Sequence, residues 1–304
     1  MLGLPYDEAD TLELGFGAFG VVFRRGNDRV VKVPMIFHDN PIQSRGARKG
    51  LRKTSELNIR MHEREVKTIE ALGAHPSLVT TFNASNEHGI EMKFLENGNL
   101  EDYILLHPRP DLGRVLQWIL HIAEGLQYMH GKGIMHSDIA LRNVLLDRDL
   151  NAKLIDFSGS SVEAETSRIE DDVSTEIFHF ANIAYSLLAW QEYELDIREY
   201  VWDYDWEAIS AAPLARPWPG REDLPSVDNI SCGDVILNYW LQKYEDMGAV
   251  CAALNKRIQE QQVRDLMRRS PILGVIHLMR MWVFNFCTDF ARYYGRVWAR
   301  IWFR

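Results

Sequence analysis

Cysteine is scarce here. The three in 304 residues, Cys232, Cys251 and Cys287, are scattered and odd in number. That excludes a disulfide framework and gives no zinc-site spacing; it suits a reducing compartment, so a cytoplasmic chain is expected. No leader is expected in the N-terminal residues given, because Met1–Asp10 already carries acids and has no long apolar run. There is no internal repeat and no low-complexity segment. With 11 prolines and 46% hydrophobic residues, the chain is neither collagen-like nor disordered. Its 304 residues can bury a large core, as one two-lobed domain or two small ones. Positive charge is short as well, with a net charge of −9. The stretch Lys256–Arg304 holds ten Lys/Arg against three acids, a local +7, which leaves −16 for the rest. An acidic body argues against nucleic acid as a partner, and a basic tail points to a polyanionic surface.

Along the chain, Thr11–Phe16, Val21–Arg25 and Arg29–Pro34 read as short strands joined by tight turns. The stretch His38–Lys53 reads as a loop carrying Arg45, Arg48, Lys49, Arg52 and Lys53, either a solvated linker or a docking site for an acidic partner. A helix follows over Ser55–Leu72, then strands at Leu78–Phe82 and Gly89–Phe94. Together these form a five-stranded antiparallel sheet with one helix packed on it. Asn97-Gly98-Asn99-Leu100 opens a second, mostly helical part. Leu112, Val115, Leu116, Ile119, Ala123, Leu126 and Met129 recur at helical spacing, and Val173–Leu188 is apolar nearly all round, as in a helix buried mid-lobe. Gly233–Trp240 and Met247–Leu254 read as further helices, and the Trp- and Pro-rich stretch Arg198–Asp228 as mostly irregular.

The chemistry concentrates in three places. In Gly133–Leu146, Asp138 stands two residues after His136, Asn143 stands five residues beyond Asp138, and an apolar run follows. One rigid loop can thus present an acid to orient an attacking hydroxyl and an amide oxygen to hold a metal. Asp156 ends the short strand Lys153-Leu154-Ile155, 18 residues after Asp138, and is followed by Phe157. Upstream, Gly15, Gly17, Gly20 and Val22 match G-x-G-x-x-G-x-V, in which glycines let a hairpin lie close over phosphates. Lys32 then sits inside a β-branched strand, where a cation needs an anionic partner. Glu65 is the preferred partner and Glu63 its rival.

In this order the motifs resemble those of the eukaryotic protein kinase superfamily, and the compact single-domain kinases of filamentous fungi in particular, over roughly residues 11–255. The resemblance implies an α+β, bilobal protein-kinase-like fold: a small lobe of five antiparallel strands and one helix, and a larger, mostly helical lobe. The expected divisions are 1–95, a nucleotide-binding lobe; 96–255, a catalytic lobe; and 256–304, a basic aromatic tail. It also implies ATP and Mg²⁺ as cofactors and an unidentified protein as substrate. Val22, Val30 and Leu145 would sandwich the adenine, with Met92 at the back of the pocket and the backbone of Lys93 and Leu95 meeting the adenine edge. Lys32 would hold the phosphates, oriented by Glu65. Asp138 would act as base or orient the acceptor hydroxyl, and Asn143 and Asp156 would bind Mg²⁺. His136 would pack below Phe157. Arg142 would either steady the transferred phosphate or pair with a neighbouring acid.

The chain departs from the family pattern at several positions. Ser137 replaces the Arg that normally receives an activation-segment phosphate. Ser158 replaces the Gly after Asp-Phe, which should stiffen that turn. Glu176, at the start of the central helix, replaces the Asp that usually anchors the catalytic loop backbone. Asp156 to Glu176 spans only 20 residues and holds no Ala-Pro-Glu-like triplet, so the nucleotide half looks intact and the protein-substrate half eroded. The expected function is an ATP- and Mg-dependent protein kinase, Ser/Thr-directed. The alternatives are a nucleotide-binding pseudokinase that works as an interaction module, and a small-molecule kinase. In the tail, Arg292, Arg296, Arg300 and Arg304 form one helical stripe and Tyr294, Trp298 and Trp302 another. That pattern fits peripheral membrane contact through residues 270–304, set against the alternative of a helix packed on the acidic lobe.

Overall fold

The computed structural model describes residues 11–37, 44–162, 173–195 and 218–270. The chain divides into two compact units, Met1–Ala253 and Leu254–Arg304. The first opens with strands β1 (Thr11–Phe16), β2 (Gly20–Arg25) and β3 (Arg29–Pro34), helix α1 (Arg45–Leu72), and strands β4 (Thr81–Ser85) and β5 (Gly89–Lys93). The five strands form one antiparallel sheet in the order β1-β2-β3-β5-β4. Side chains alternate across a strand. The pairings Val22↔Lys32, Lys32↔Ile90 and Val30↔Met92 therefore put Val22, Val30, Lys32, Ile90 and Met92 on one face. The opposite face buries Val21, Phe23, Val31 and Val33 as a separate apolar cluster.

The remaining elements are α2 (Leu100–Leu106), α3 (Leu112–His130), β6 (Ile134–Met135), β7 (Val144–Leu146), β8 (Ala152–Leu154), β9 (Ser161–Val162), α4 (Val173–Ala189), α5 (Gly233–Trp240) and α6 (Met247–Arg269). Asn99 and Asp111 cap α2 and α3, each accepting from a backbone N–H three residues on, at 2.8 and 3.1 Å. In α4 every residue from Thr175 to Leu188 is buried; the helix packs against α3 and α5, and Trp240 donates to Asn182 Oδ1 at 2.9 Å. The short hairpin β7–β8 and the antiparallel pair β6–β9 flank the segment between Met135 and Val144 and pin both of its ends.

Three expected boundaries shift. Helix α1 begins at Arg45, so the basic stretch expected as loop is helical from there on. Ser44 caps it by accepting from Ala47 N–H at 3.2 Å, and Ala, Leu, Arg and Lys propagate well enough to carry the turns past Gly46 and Gly50. Strand β4 starts at Thr81 because Leu78 and Val79 turn aside to pair with Leu154, with Val79 N–H reaching the Leu154 carbonyl at 3.0 Å. Helix α6 runs on to Arg269 instead of stopping at Leu254. Residues 1–10, 38–43, 163–172, 196–217 and 271–304 lie outside the described part; they take in most of the Trp/Pro-rich stretch and the basic aromatic tail beyond Ser270. No helix among the described residues is long and apolar enough to cross a membrane.

Candidate active site

Lys32 is where the two halves of the site meet. Its Nζ lies 2.8 Å from Glu65 Oε2 on α1 and 2.6 Å from Asp156 Oδ1 beyond β8. Glu65 is buried and Glu63 points to solvent, so the helix phase selects Glu65 as the partner. Burial alone would lower the Lys32 pKa, but the two carboxylates outweigh it and raise it above its ordinary value. Burial pushes the Glu65 carboxyl upward against the pull of Lys32. It also works upward on Asp156, but there the charge and hydrogen bond of Lys32, with two bonds from Ser158, win and hold the carboxyl at about 2. Asp156 is therefore ionised at neutral pH.

The catalytic loop is tied down at His136, Ser137, Asp138, Arg142 and Asn143. Asn143 Nδ2 donates to the Asp138 carbonyl at 2.9 Å and to Asp138 Oδ2 at 2.7 Å. Arg142 donates to Asp138 Oδ1 at 2.8 Å and lies 3.6 Å from Glu194. Arg142 thus pairs with two acids, Asp138 and Glu194. His136 is fully buried, stacks edge-on against Phe157 with ring centroids 5.6 Å apart, and meets the Ile155 carbonyl at 3.0 Å. Ser137 adopts a left-handed φ of 67° and donates its N–H to Glu176 Oε1 at 2.6 Å. Glu176 Oε2 meets His130 Nε2 at 2.5 Å. The longer acid at position 176 thus does anchor the loop backbone. Burial alone would raise its pKa, but the contacts from His130 and Ser137 hold it below the ordinary carboxylate value.

These residues suit a nucleotide with its magnesium. Asn143 spends its amide hydrogens on Asp138, so its oxygen is the group left for a cation. On Asp156 all three donors, Lys32 Nζ, Ser158 N and Ser158 Oγ, converge on Oδ1, and among the described residues none reaches Oδ2. The pairing Val144↔Leu154 and the bond from Ile155 N–H to the Asn143 carbonyl set Asn143 and Asp156 side by side. Two oxygen ligands are what a phosphate-borne Mg²⁺ needs, since phosphates and water supply the others. No group of three or more His, Cys, Asp or Glu among the described residues forms a separate metal site. A Cβ on Gly15 would meet nothing within 4 Å, so the fold itself leaves that space open. Gly20 is different: a Cβ there would lie 2.7 Å from the Val33 carbonyl, and the hairpin itself requires glycine.

For the base pocket, Val30 and Met92 are buried, while Val22 and Leu145 are half-buried and available to complete an apolar stack. Lys93 N–H is already spent on the Thr80 carbonyl at 2.9 Å, so only its carbonyl could meet an adenine edge, alongside Leu95 N–H. A separate small pocket adjoins the catalytic loop, bordered by Glu101, Ile139, Leu141, Ile183, Tyr193 and Glu194. None of the residues expected to meet nucleotide lines it. His130 and Glu194 escaped the sequence reading because their contacts with Glu176 and Arg142 are long-range and carry no local motif.

The profile of the protein tyrosine and serine/threonine kinase family matches residues 10–204, well over half of the chain. The chain belongs to that family. Among similar proteins, this kinase domain is 31% identical over 120 residues to the serine/threonine-protein kinase PDK1 of Cryptococcus neoformans, covering 37% of the chain and 10% of that protein. It is 36% identical over 93 residues to the megakaryocyte-associated tyrosine-protein kinase of Rattus norvegicus, covering 29% of the chain and 20% of that protein. Against human receptor-interacting serine/threonine-protein kinase 1 it is 28% identical over 158 residues, covering 51% of the chain and 22% of that protein. The aligned parts thus span between 10% and 22% of these relatives' own length.

Proposed function

We propose that this kinase domain transfers the γ-phosphoryl group of ATP to a hydroxyl of a protein substrate, Ser or Thr being the expected acceptor. The observation that carries this reading is Lys32 bridging Glu65 at 2.8 Å and Asp156 at 2.6 Å. Lys32 in that place can hold the α- and β-phosphates, with Gly15 and Gly17 in the hairpin that would cover them. Asn143 and Asp156 would hold Mg²⁺, which when bound neutralises charge developing on the transferred group. Asp138 lies next to that position and would orient the acceptor hydroxyl and take its proton. Arg142 fixes one Asp138 oxygen and Asn143 the other, so the carboxylate arrives pre-oriented.

A second reading, a nucleotide-binding module that transfers nothing, draws on the same contacts. Both Asp138 oxygens are occupied, and only 20 residues separate Asp156 from Glu176. The test is phosphate incorporation by the purified chain with Mg-ATP, on itself and on a generic basic protein, beside Asp138→Asn. Incorporation that Asp138→Asn abolishes supports the kinase. Nucleotide binding without incorporation supports the module.

A further inference from the structure

We propose that Ser158 is a positioning residue that restricts Asp156 to one metal-binding oxygen, so that the nucleotide site takes one divalent cation and not two. The proposal rests on the nucleotide-and-magnesium reading above. In protein kinases generally this Asp and the catalytic-loop Asn hold two cations, which requires both carboxylate oxygens to be available. Here Ser158 donates to Asp156 Oδ1 twice, from Oγ at 2.7 Å and from its backbone N–H at 3.3 Å. Lys32 adds a third donor at 2.6 Å. An oxygen with two lone pairs is saturated by three donors. When phosphates enter the site Lys32 has anions to follow; Ser158 is buried and has no other acceptor among the described residues, so its bonds stay. A cation at Oδ1 would have to displace the hydroxyl. Oδ2 receives no donor among the described residues and shares the cleft with the Asn143 oxygen, so a single cation fits there. A glycine at this position, as in the family pattern, would bring no hydroxyl and leave Oδ1 open once Lys32 moved.

The hydroxyl also accounts for how the turn is held. Asp156 has a left-handed φ of 61°, a conformation that an Asp holds when its side chain is hydrogen-bonded locally. Two bonds from Ser158 back to the Asp156 side chain close that turn on itself.

Mn²⁺ is the probe. The full chain is saturated with a non-hydrolysable ATP analogue, and bound Mn²⁺ is counted by paramagnetic resonance of the free ion through a titration. One Mn²⁺ per chain is expected for the wild type and for Ser158→Thr, which keeps the hydroxyl. Two are expected for Ser158→Gly and Ser158→Ala. Two in the wild type would overturn the proposal, and so would a count that stays at one in both the Gly and Ala variants. Thermal unfolding with analogue and Mn²⁺ separates the failures. If the analogue gives no stabilisation, the nucleotide reading falls and the Ser158 proposal falls with it; if stabilisation comes with two cations, only the Ser158 proposal falls.

Discussion

Replacing Glu176 by Ala should unfold more of this domain than any other single change near the catalytic loop. The side chain is 1% exposed and joins three elements. One oxygen takes the N–H of Ser137 and the other meets His130 at the end of α3. Alanine removes the acceptor that both donors share, at about 1–3 kcal/mol each. It also frees Ser137 from the bond that holds its φ of 67°. The sum is about 3–5 kcal/mol, the usual cost of breaking a buried charged contact, against a total stability on the order of 5–15 kcal/mol. In urea that is a midpoint shift on the order of 1–2 M. Glu176→Gln should cost only about 1–2 kcal/mol. Its carbonyl still accepts from Ser137, and His130 can face the new amide by moving its proton to Nδ1, which has no partner among the described residues. The sign with pH follows. Glu176 is held below its ordinary 4.5, so its contribution is complete above 4.5 and is lost as the pH falls through the depressed value. The gap between wild type and Glu176→Gln should therefore narrow in acid. Urea titrations followed by circular dichroism, at neutral pH and near pH 4, measure all of this. A Glu176→Ala variant within about 0.5 kcal/mol of wild type, the range of an ordinary surface substitution, or a pH-independent gap for Gln, would refute the reasoning.

Lys32→Met should cost about 3–5 kcal/mol in the same urea assay, because it strands a buried Glu65; adding Glu65→Leu should recover most of that, and no recovery would count against the pair. Mg-ATP should stabilise the chain by about 2.7 kcal/mol at a hundredfold excess over Kd, and Lys32→Ala and Asp156→Ala should each reduce the thermal shift. Phosphatase treatment should leave the transfer rate unchanged, since Ser137 stands where the phosphate-binding Arg would be; a large drop in rate would contradict that. Vesicles with anionic lipid should co-sediment the full chain and lose it when 270–304 is deleted, whereas binding unaffected by the deletion would rule out the tail as the anchor.

The local motifs were legible because their chemistry is set by spacing along the chain. Asp138, Asn143 and Asp156 are placed by two short antiparallel pairs, of which only the strand before Asp156 read directly from the sequence. The helix stop and strand over Leu72–Val79 favoured Glu65 over Glu63, and the burial of Glu65 on α1 agrees. The start of α1 was hidden because Gly46, Gly50 and five cations at a helix N-terminus all argue for loop, and one serine cap does not announce itself. Strand β4 slipped by three residues because its register is decided by Leu154, more than seventy positions away. The sequence showed that Ser158 departs from the family's glycine, but the expected effect was stiffness. That its hydroxyl turns back onto Asp156 depends on a side-chain rotamer, which no spacing rule reports.

The central claim is that Asp138, Asn143, Asp156 and Lys32 carry out phosphoryl transfer. It is tested most directly by incubating the purified chain and its Asp138→Asn variant with Mg²⁺ and γ-labelled ATP under conditions where thermal shift shows both bind nucleotide. The account predicts label on protein with the wild type and none with the variant. Equal labelling by both, or none by either despite bound nucleotide, would contradict it.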